Sequence, residues 1–166
     1  MICVIACVLS IVCLNAAPEA RNFGLKVKVD GKATYDKDTV TQTRKLLFNL
    51  SLAGKEPASD LVMKWVIYGH SKKDHDPVVI KSGELKVTLT PGQPVDLETP
   101  QITIKGVGEH SVSTGSGRRR KSKKVAASGQ EYFGYSAVLM SGSTVLAENY
   151  SHGSLKISGP MGVRGR

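Results

Sequence analysis

The chain has 166 residues and a formal net charge of +9, and 40% of its residues are hydrophobic. This length fits a single domain, and the hydrophobic fraction excludes a wholly disordered chain. The cysteines Cys3, Cys7 and Cys13 all precede Leu14. The sequence after Leu14 therefore excludes disulfides, cysteine-ligated metals and cysteine nucleophiles.

The beginning of the chain predicts a signal peptide over residues 1–20. Residues 2–14 form a nearly unbroken apolar run, which is shorter than the roughly 20 residues that a membrane span requires. Small residues follow, so we expect cleavage near Ala17 or Ala20 and a secreted or periplasmic mature chain. A positively charged start is missing, which a start codon assigned too far downstream would explain. Two alternatives stay open: a lipoprotein modified at Cys7, and a buried N-terminal segment of a cytosolic protein.

The remainder of the chain predicts strands, taken in chain order. Leu25, Val27 and Val29 alternate with lysines before an Asp-Gly turn, which is the two-residue period of a half-buried strand. The same period recurs over the stretches 46–52, 61–68 and 85–89, and Val95 and Leu97 alternate before Ile102 and Ile104. The stretch 132–150 predicts a long strand, a Ser-Gly-Ser turn and a second strand. The Lys-Ser-Gly-Glu stretch at 81–84 is predicted to be a turn. No segment has a convincing helical period.

This pattern predicts an all-β fold, an antiparallel β-sandwich of the immunoglobulin or fibronectin type III kind with seven to nine strands. The domain would span residues 21–158, and the Gly-rich tail 159–166 would be disordered. A jelly roll or a small barrel is the alternative. The predicted core consists of Leu46, Phe48, Leu50, Trp65, Ile67, Leu85, Val87, Tyr135, Val138 and Leu146.

Four stretches together carry a resemblance to a known group of proteins. They read LSL, WVIYG, LTPGQPVDLET and YFGYSAVLMSGSTVLAE. In this order they resemble small uncharacterised secreted β-sandwich proteins of the Verrucomicrobia and Planctomycetes type, over most of residues 24–157. The resemblance implies an exported immunoglobulin-like fold and brings no catalytic residues.

The stretch 105–129 predicts a flexible basic loop between two strands. Its candidate polyanion-binding residues carry six of the nine formal charges, and they are Arg118, Arg119, Arg120, Lys121, Lys123 and Lys124. Such a segment would bind polyanions by counterion release, with little sequence preference. No aromatic residue lies between Val107 and Ala127, which disfavours stacking on single-stranded nucleic acid. A solvated loop without a partner, a processing site and a nuclear localisation signal are the alternatives.

A second polar segment joins two predicted strands. It contains the candidate metal ligands His70, Asp74, His75 and Asp76. Their residue types suit zinc or copper, but their spacing fixes no tetrahedral geometry. The sequence also lacks the GxSxG, HExxH and phosphate-loop motifs. We therefore predict no metal, no cofactor and no enzyme activity. Asn49 and Asn149 begin formal glycosylation sequons within predicted strands.

These observations predict a secreted or periplasmic, non-enzymatic binding or structural module. Its expected partners are anionic polysaccharide, a lipid surface or extracellular nucleic acid, contacted through the basic segment. Two other classes compete with this interpretation: a metal-dependent enzyme that uses the segment from His70 to Asp76, and a nucleic-acid-binding protein of the cytosol or nucleus.

Overall fold

The computed structural model describes residues 22–71, 77–114 and 121–156, which form an antiparallel β-sandwich. The predicted signal peptide at 1–20 and the predicted tail at 159–166 lie outside these residues. The described strands are β1 (Asn22–Asp36), β2 (Thr39–Ala53), β3 (Ala58–Ser71), β4 (Pro77–Leu89), β5 (Val95–Glu98), β6 (Ile102–Val107), β7 (His110–Thr114), β8 (Lys121–Val125), β9 (Ser128–Ser141) and β10 (Thr144–Tyr150). A short 3-10 helix, Gly153–Leu155, follows β10.

The first layer is built around β2. Strand β1 pairs with β2 along its whole length, from Asn22 opposite Ala53 to Asp36 opposite Thr39. On its other side β2 pairs with β5 near Leu50 and with β6 near Thr43. Strand β1 is therefore an edge of this layer.

The second layer has the order β4, β3, β9, β10. Strand β3 lies between β4 and β9, with Trp65 opposite Gly83 on one side and Ala137 on the other. The Trp65 ring lies against Gly83, where an added Cβ would come within 2.6 Å of the ring atom Cζ2. A larger residue at position 83 would displace the tryptophan.

Strand β9 belongs to both layers. Its first residues pair with β6, with Gly129 opposite Gly106, and from Gln130 onward it pairs with β3. Gly129 has φ +80°, and a Cβ at this position would run into the carbonyl oxygen of Lys105. Because glycine alone tolerates both conditions, Gly129 allows β9 to leave one layer and enter the other.

The core lies between the two layers and follows the two-residue period of the strands. It contains Leu46, Phe48, Leu50 and Leu52 from β2, Leu61, Met63, Trp65 and Ile67 from β3, Val87 and Leu89 from β4, and Tyr135, Ala137 and Leu139 from β9, together with Ala58. Seven of the ten predicted core residues are confirmed in this cluster, and the other three are Leu85, Leu146 and Val138. Leu85 and Leu146 are only partly buried against the cluster. Val138 is buried on the opposite face of β9 from Ala137, since side chains alternate along a strand.

The structure corrects three details of the predicted organisation. Asp30 and Gly31 do not form a turn, because β1 runs through them to Asp36 and stays paired with β2. The stretch 81–84 is not a turn, because β4 runs through it and Gly83 accommodates the Trp65 ring. The described residues contain ten strands and not seven to nine, because the stretch 105–129 contributes β7 and β8 in addition to parts of β6 and β9. The antiparallel sandwich is confirmed, and its immunoglobulin or fibronectin subtype stays a prediction.

Candidate functional site

The candidate site is the β7–β8 hairpin, which forms a two-stranded sheet separate from the sandwich. His110 lies opposite Val125, and Thr114 lies opposite Lys121. These strands contain only small, polar and basic residues apart from Val112 and Val125. Residues 111–113 and 122–124 are exposed. The hairpin therefore extends into solvent and buries little apolar surface of its own.

The register of the hairpin divides its lysines between two faces. Lys123 lies opposite Val112, and Lys124 lies opposite Ser111. Because neighbouring side chains in a strand point to opposite faces, Lys123 and Lys124 project to opposite sides. A polyanion lying along one face would meet one of them directly.

Two contacts order the base of the hairpin, and the first of them joins it to the first layer. The backbone N–H of Gly108 donates a 2.6 Å hydrogen bond to the carbonyl oxygen of Asp38, at the tip of the β1–β2 hairpin. Nδ1 of His110 lies 3.1 Å from the carbonyl oxygen of Gly108. These bonds fix the point from which the basic strands project.

An acidic residue at the same base pairs with one of the lysines. The ammonium of Lys124 lies 3.3 Å from Oε1 of Glu109. Both side chains are largely exposed, so this ion pair contributes little to stability. It does reduce the positive charge of the Lys124 face.

The structure describes only part of the predicted polyanion-binding set. Lys123 and Lys124 are exposed strand residues, and Lys121 is described as the first residue of β8 through its backbone alone. Arg118, Arg119 and Arg120 lie outside the described residues. They stand in the sequence between the end of β7 and the start of β8.

The predicted metal-ligand segment is also described only in part. Asp74, His75 and Asp76 lie outside the described residues, and His70 is near the end of β3. Nε2 of His70 lies 3.8 Å from Oε2 of Glu131, and its ring meets Phe133 edge-on at 5.9 Å. In the described ranges, no group of three or more His, Cys, Asp and Glu side chains is arranged to hold a metal ion.

The remaining histidine, His152, belongs to the same corner of the molecule. Its ring lies 5.0 Å from that of Phe133, and its Nε2 is 3.1 Å from the carbonyl oxygen of Phe133. His70 and His152 thus pack on the same phenylalanine. Nothing in their spacing along the sequence predicts this arrangement.

A polar cluster that the sequence did not reveal lies where β2 approaches the start of β9. Cζ of Arg44 stands 5.3 Å from the centre of the Tyr132 ring. Nη1 of Arg44 donates to the carbonyl oxygens of Lys32 and Thr43, at 3.0 and 2.9 Å. The backbone N–H of Tyr132 donates to Oε1 of Gln42 at 2.9 Å. Because these donors and acceptors are used within the fold, the cluster joins the two layers.

Burial dominates the ionisation of this tyrosine. Loss of solvation raises the pKa of Tyr132 to about 12, with a further increase from Tyr135 and an opposing effect of the Arg44 guanidinium. The phenol is therefore neutral over the physiological range. Its hydroxyl has no hydrogen-bond partner in the part of the chain that the structure describes. A role in proton transfer near neutral pH is disfavoured.

The sequence contains one indication of the cluster of Arg44 and Tyr132. Gln42 and Arg44 share the inward face of β2 with Leu46 and Phe48, as the two-residue period requires. Polar residues at inward positions indicate that the apolar core ends there. The partner Tyr132 is far away in sequence, so only the register could identify it.

The two sequon asparagines have hydrogen-bonded amide groups. Nδ2 of Asn49 donates to Oδ1 of Asp96 at 2.8 Å. Nδ2 of Asn149 donates to the carbonyl oxygen of Leu25 at 3.3 Å, and its Oδ1 accepts from the Tyr135 hydroxyl at 2.8 Å. Asn149 therefore has a structural part in the sandwich.

No family model, curated protein or solved structure matches this chain. The resemblance to secreted sandwich proteins of the Verrucomicrobia and Planctomycetes type stays a prediction. Among the residues in 22–71, 77–114 and 121–156, no helix is both long and apolar enough to cross a membrane. The fold and the site together define a β-sandwich domain that carries a projecting basic hairpin.

Proposed function

We propose that the protein is a secreted or periplasmic, non-enzymatic binding or structural module that contacts anionic polymers or surfaces through the β7–β8 hairpin. The observation that supports this most directly is the exposure of Lys123 and Lys124 on a two-stranded sheet outside the sandwich. The adjoining residues Arg118, Arg119, Arg120 and Lys121 extend the same run of positive charge in the sequence.

The physical basis of binding is the concentration of charge in one short segment. Residues 118–124 carry six basic side chains, whereas the formal charge of the entire chain is +9. Six lysines and arginines that neutralise phosphates or sulfates release the counterions condensed on the polymer. The resulting affinity depends steeply on salt and little on polymer sequence.

The chemistry of the hairpin favours recognition of charge over recognition of bases. Its strands contain no Phe, Tyr or Trp, and the intervening residues 115–120 contain none either. Without aromatic surfaces, bases gain no stacking energy. Sulfated or carboxylated polysaccharide, an anionic lipid surface and duplex nucleic acid share the required feature, which is a dense array of anions.

Retention on immobilised heparin tests this proposal. Replacing Arg118, Arg119, Arg120, Lys121, Lys123 and Lys124 by glutamine should abolish retention at low salt. Thermal unfolding should change little, because the exposed hairpin contributes few core contacts. On duplex DNA, six phosphate contacts predict a slope of log affinity against log salt of about −5.

A matched pair of double variants separates local from general charge. Lys123→Gln with Lys124→Gln removes two charges from the hairpin, while Lys81→Gln with Lys86→Gln removes two from exposed positions of β4. The hairpin variant should elute at clearly lower salt than the β4 variant. Equal elution of the two would refute the hairpin as the binding site.

Export is tested independently by sequencing the N-terminus of the mature protein from its native host. A start near residue 18 or 21 supports cleavage after Ala17 or Ala20 and a secreted or periplasmic location. Recovery of the uncleaved chain in the cytosol would contradict export and favour the competing nucleic-acid-binding class.

A further inference from the structure

Beyond Leu25, the outer edge of β1 presents backbone groups that form no hydrogen bond within the described residues. The carbonyl oxygen of Leu25 accepts from Nδ2 of Asn149, in the second layer, so it points away from β2. The N–H of Lys32 instead donates to Oγ1 of Thr43 on β2. Backbone groups of successive residues alternate in direction across a strand, so odd-numbered residues face the outer edge.

Along this edge, hydrogen bonding stops after Leu25. No other part of the described chain bonds to the outward groups of Val27, Val29, Gly31, Ala33 and Tyr35. The pairing with β2 continues through this range without a bulge, and the strand contains no proline. A regular edge of this length is a template for another strand.

The same segment leaves apolar surface uncovered. Tyr35 is 73% exposed, and Ala33 is also exposed. Both side chains lie on the same side of β1 as Val27 and Val29, which pack against the core. An added strand would cover this surface. The open edge and the exposed tyrosine thus indicate the same missing neighbour.

We propose that the outer edge of β1 pairs antiparallel with β1 of a second copy of this chain, about a two-fold axis at Gly31. In this register, every outward residue from Val27 to Tyr35 meets an outward residue of the partner. Val27 lies opposite the partner's Tyr35, and Val29 lies opposite the partner's Ala33. The ladder ends next to Leu25, whose carbonyl is already used by Asn149.

Charge complementarity selects this partner and this register. On the solvent face, Lys26 meets the partner's Asp36, and Asp30 meets the partner's Lys32; the symmetry repeats each pair, so four opposite-charge pairs form. A two-fold axis at Asp30 would instead place Asp30 opposite the partner's Asp30. An axis at Lys32 would place Lys32 opposite the partner's Lys32. Opposite charges across strands stabilise pairing, and like charges oppose it.

The residue at the proposed axis fits a close approach of two backbones. Gly31 has no side chain, and a Cβ there would run into the carbonyl oxygen of Thr43. The glycine is therefore required within the subunit, and it also leaves the axis unobstructed. An interface that uses identical patches on both subunits is the ordinary arrangement of a closed dimer.

Sedimentation velocity of single and paired charge variants tests the proposal. The unmodified chain should show a concentration-dependent dimer. Asp30→Lys alone and Lys32→Asp alone should each weaken dimerisation roughly tenfold or more, because two attractive pairs become repulsive. Mixing the two single variants should restore a dimer, since each subunit then meets opposite charges, and the chain carrying both substitutions should dimerise like the original.

A proline substitution on β1 tests the edge pairing independently of the charge variants, including any that fail to fold. Ala33→Pro removes an outward N–H and leaves the bonds to β2 in place, so it should give a folded monomer; Ala33→Ser retains the N–H and should remain dimeric. A monomeric original chain at the highest soluble concentration would overturn the proposal. A dimer that ignores Ala33→Pro, or single charge variants that fail to complement each other, would overturn it equally.

Discussion

The hydroxyl of Tyr135 donates a 2.8 Å hydrogen bond to Oδ1 of Asn149, and Nδ2 of the same asparagine donates to the carbonyl oxygen of Leu25 at 3.3 Å. Tyr135 and Asn149 lie on β9 and β10 of the second layer, whereas Leu25 lies on β1 of the first. A single amide thus connects both layers along one side of the sandwich. Burial also raises the pKa of Tyr135, so the phenol remains a donor at neutral pH.

A double-mutant cycle measures this connection. Tyr135→Phe and Asn149→Ala should each lower the free energy of unfolding by about 1–2 kcal/mol, because each leaves a part-buried polar group without its partner. The double variant should cost less than the sum of the two single costs, by roughly 0.5 kcal/mol or more. Urea unfolding of the four proteins gives this coupling energy, and strict additivity would contradict the connection.

Inside the first layer, Thr99 connects the end of β5 to β2 through two hydrogen bonds. Its Oγ1 accepts from the N–H of Leu46 at 3.0 Å, while its own N–H donates to the carbonyl oxygen of Leu46 at 3.0 Å. Thr99 is 2% exposed. Thr99→Val keeps the shape but leaves the Leu46 N–H unpaired, so the free energy of unfolding should fall by roughly 1–3 kcal/mol.

Thr99→Ser is the matched control for this prediction, because it retains the hydroxyl and loses one methyl group. It should cost about 1 kcal/mol. Chemical denaturation compares the two variants directly. A serine variant that is clearly less stable than the valine variant would show that methyl packing outweighs the hydrogen bond.

Alanine substitutions at Gly129 and Gly92 separate the steric requirement at the point where β9 crosses between the layers from the strain of a positive φ. Both have positive φ, but only Gly129 lacks space for a Cβ. Gly92→Ala should cost about 1 kcal/mol from the left-handed conformation alone. Gly129→Ala should cost clearly more, since it also forces β9 away from Lys105. Equal melting temperatures of the two variants would contradict the proposed crossing point.

The raised pKa of Tyr132 predicts a loss of stability in alkali. The folded-state pKa of about 12 exceeds the ordinary value of 10.0, so the folded chain retains the proton while the unfolded chain releases it. Its contribution is fully present below about pH 10 and is lost as the pH rises towards 12. We expect a contribution of about 1 kcal/mol, less than the full shift would give, because the ring is only partly buried.

Comparison with Tyr132→Phe isolates this effect from other alkaline titrations. The difference in the free energy of unfolding between the original chain and the variant should change between pH 10 and 12 and stay constant from pH 6 to 9. Tyrosinate absorbance of the folded protein should place one phenol near the upper end of that range. A pH-independent difference would contradict the assignment.

The ion pair of Glu109 and Lys124 predicts a gain in binding when it is removed. Glu109→Gln frees the positive charge of Lys124, so the variant should elute from heparin at higher salt. Glu56→Gln, at an exposed position between β2 and β3, is a control with the same change of net charge. If both variants shift equally, the effect comes from total charge and not from the hairpin.

The strand pattern was predictable because burial repeats every two residues. The alternation at Leu46, Phe48 and Leu50 places these side chains on one face of β2, and the structure confirms their burial. The turn predicted at 81–84 is wrong. Ser-Gly is typical of turns, but here it lies within β4. Gly83 in fact serves the packing of Trp65, whose position across the sheet cannot be read from nearby residues.

Composition alone identifies the basic segment, but it does not predict the strands β7 and β8. Like charges and many small residues favour an extended, solvated loop over a strand, and Val112 is an isolated apolar residue in β7. The pairing of His110 with Val125 depends on how Gly108 and Asp38 position the chain at its base. The cluster of Arg44 and Tyr132 was missed for the same reason, since long-range register brings these residues together.

The membership of β9 in both layers also determines how the chain can fold. Strand β3 has only β4 as a paired neighbour until β9 is made, with Leu61 opposite Ser141, so the second layer cannot be completed while the middle of the chain is being synthesised. Such distant pairings are typical of domains that fold in milliseconds to seconds. A nascent chain therefore keeps one edge of β3 unpaired until residues 128–141 have been synthesised.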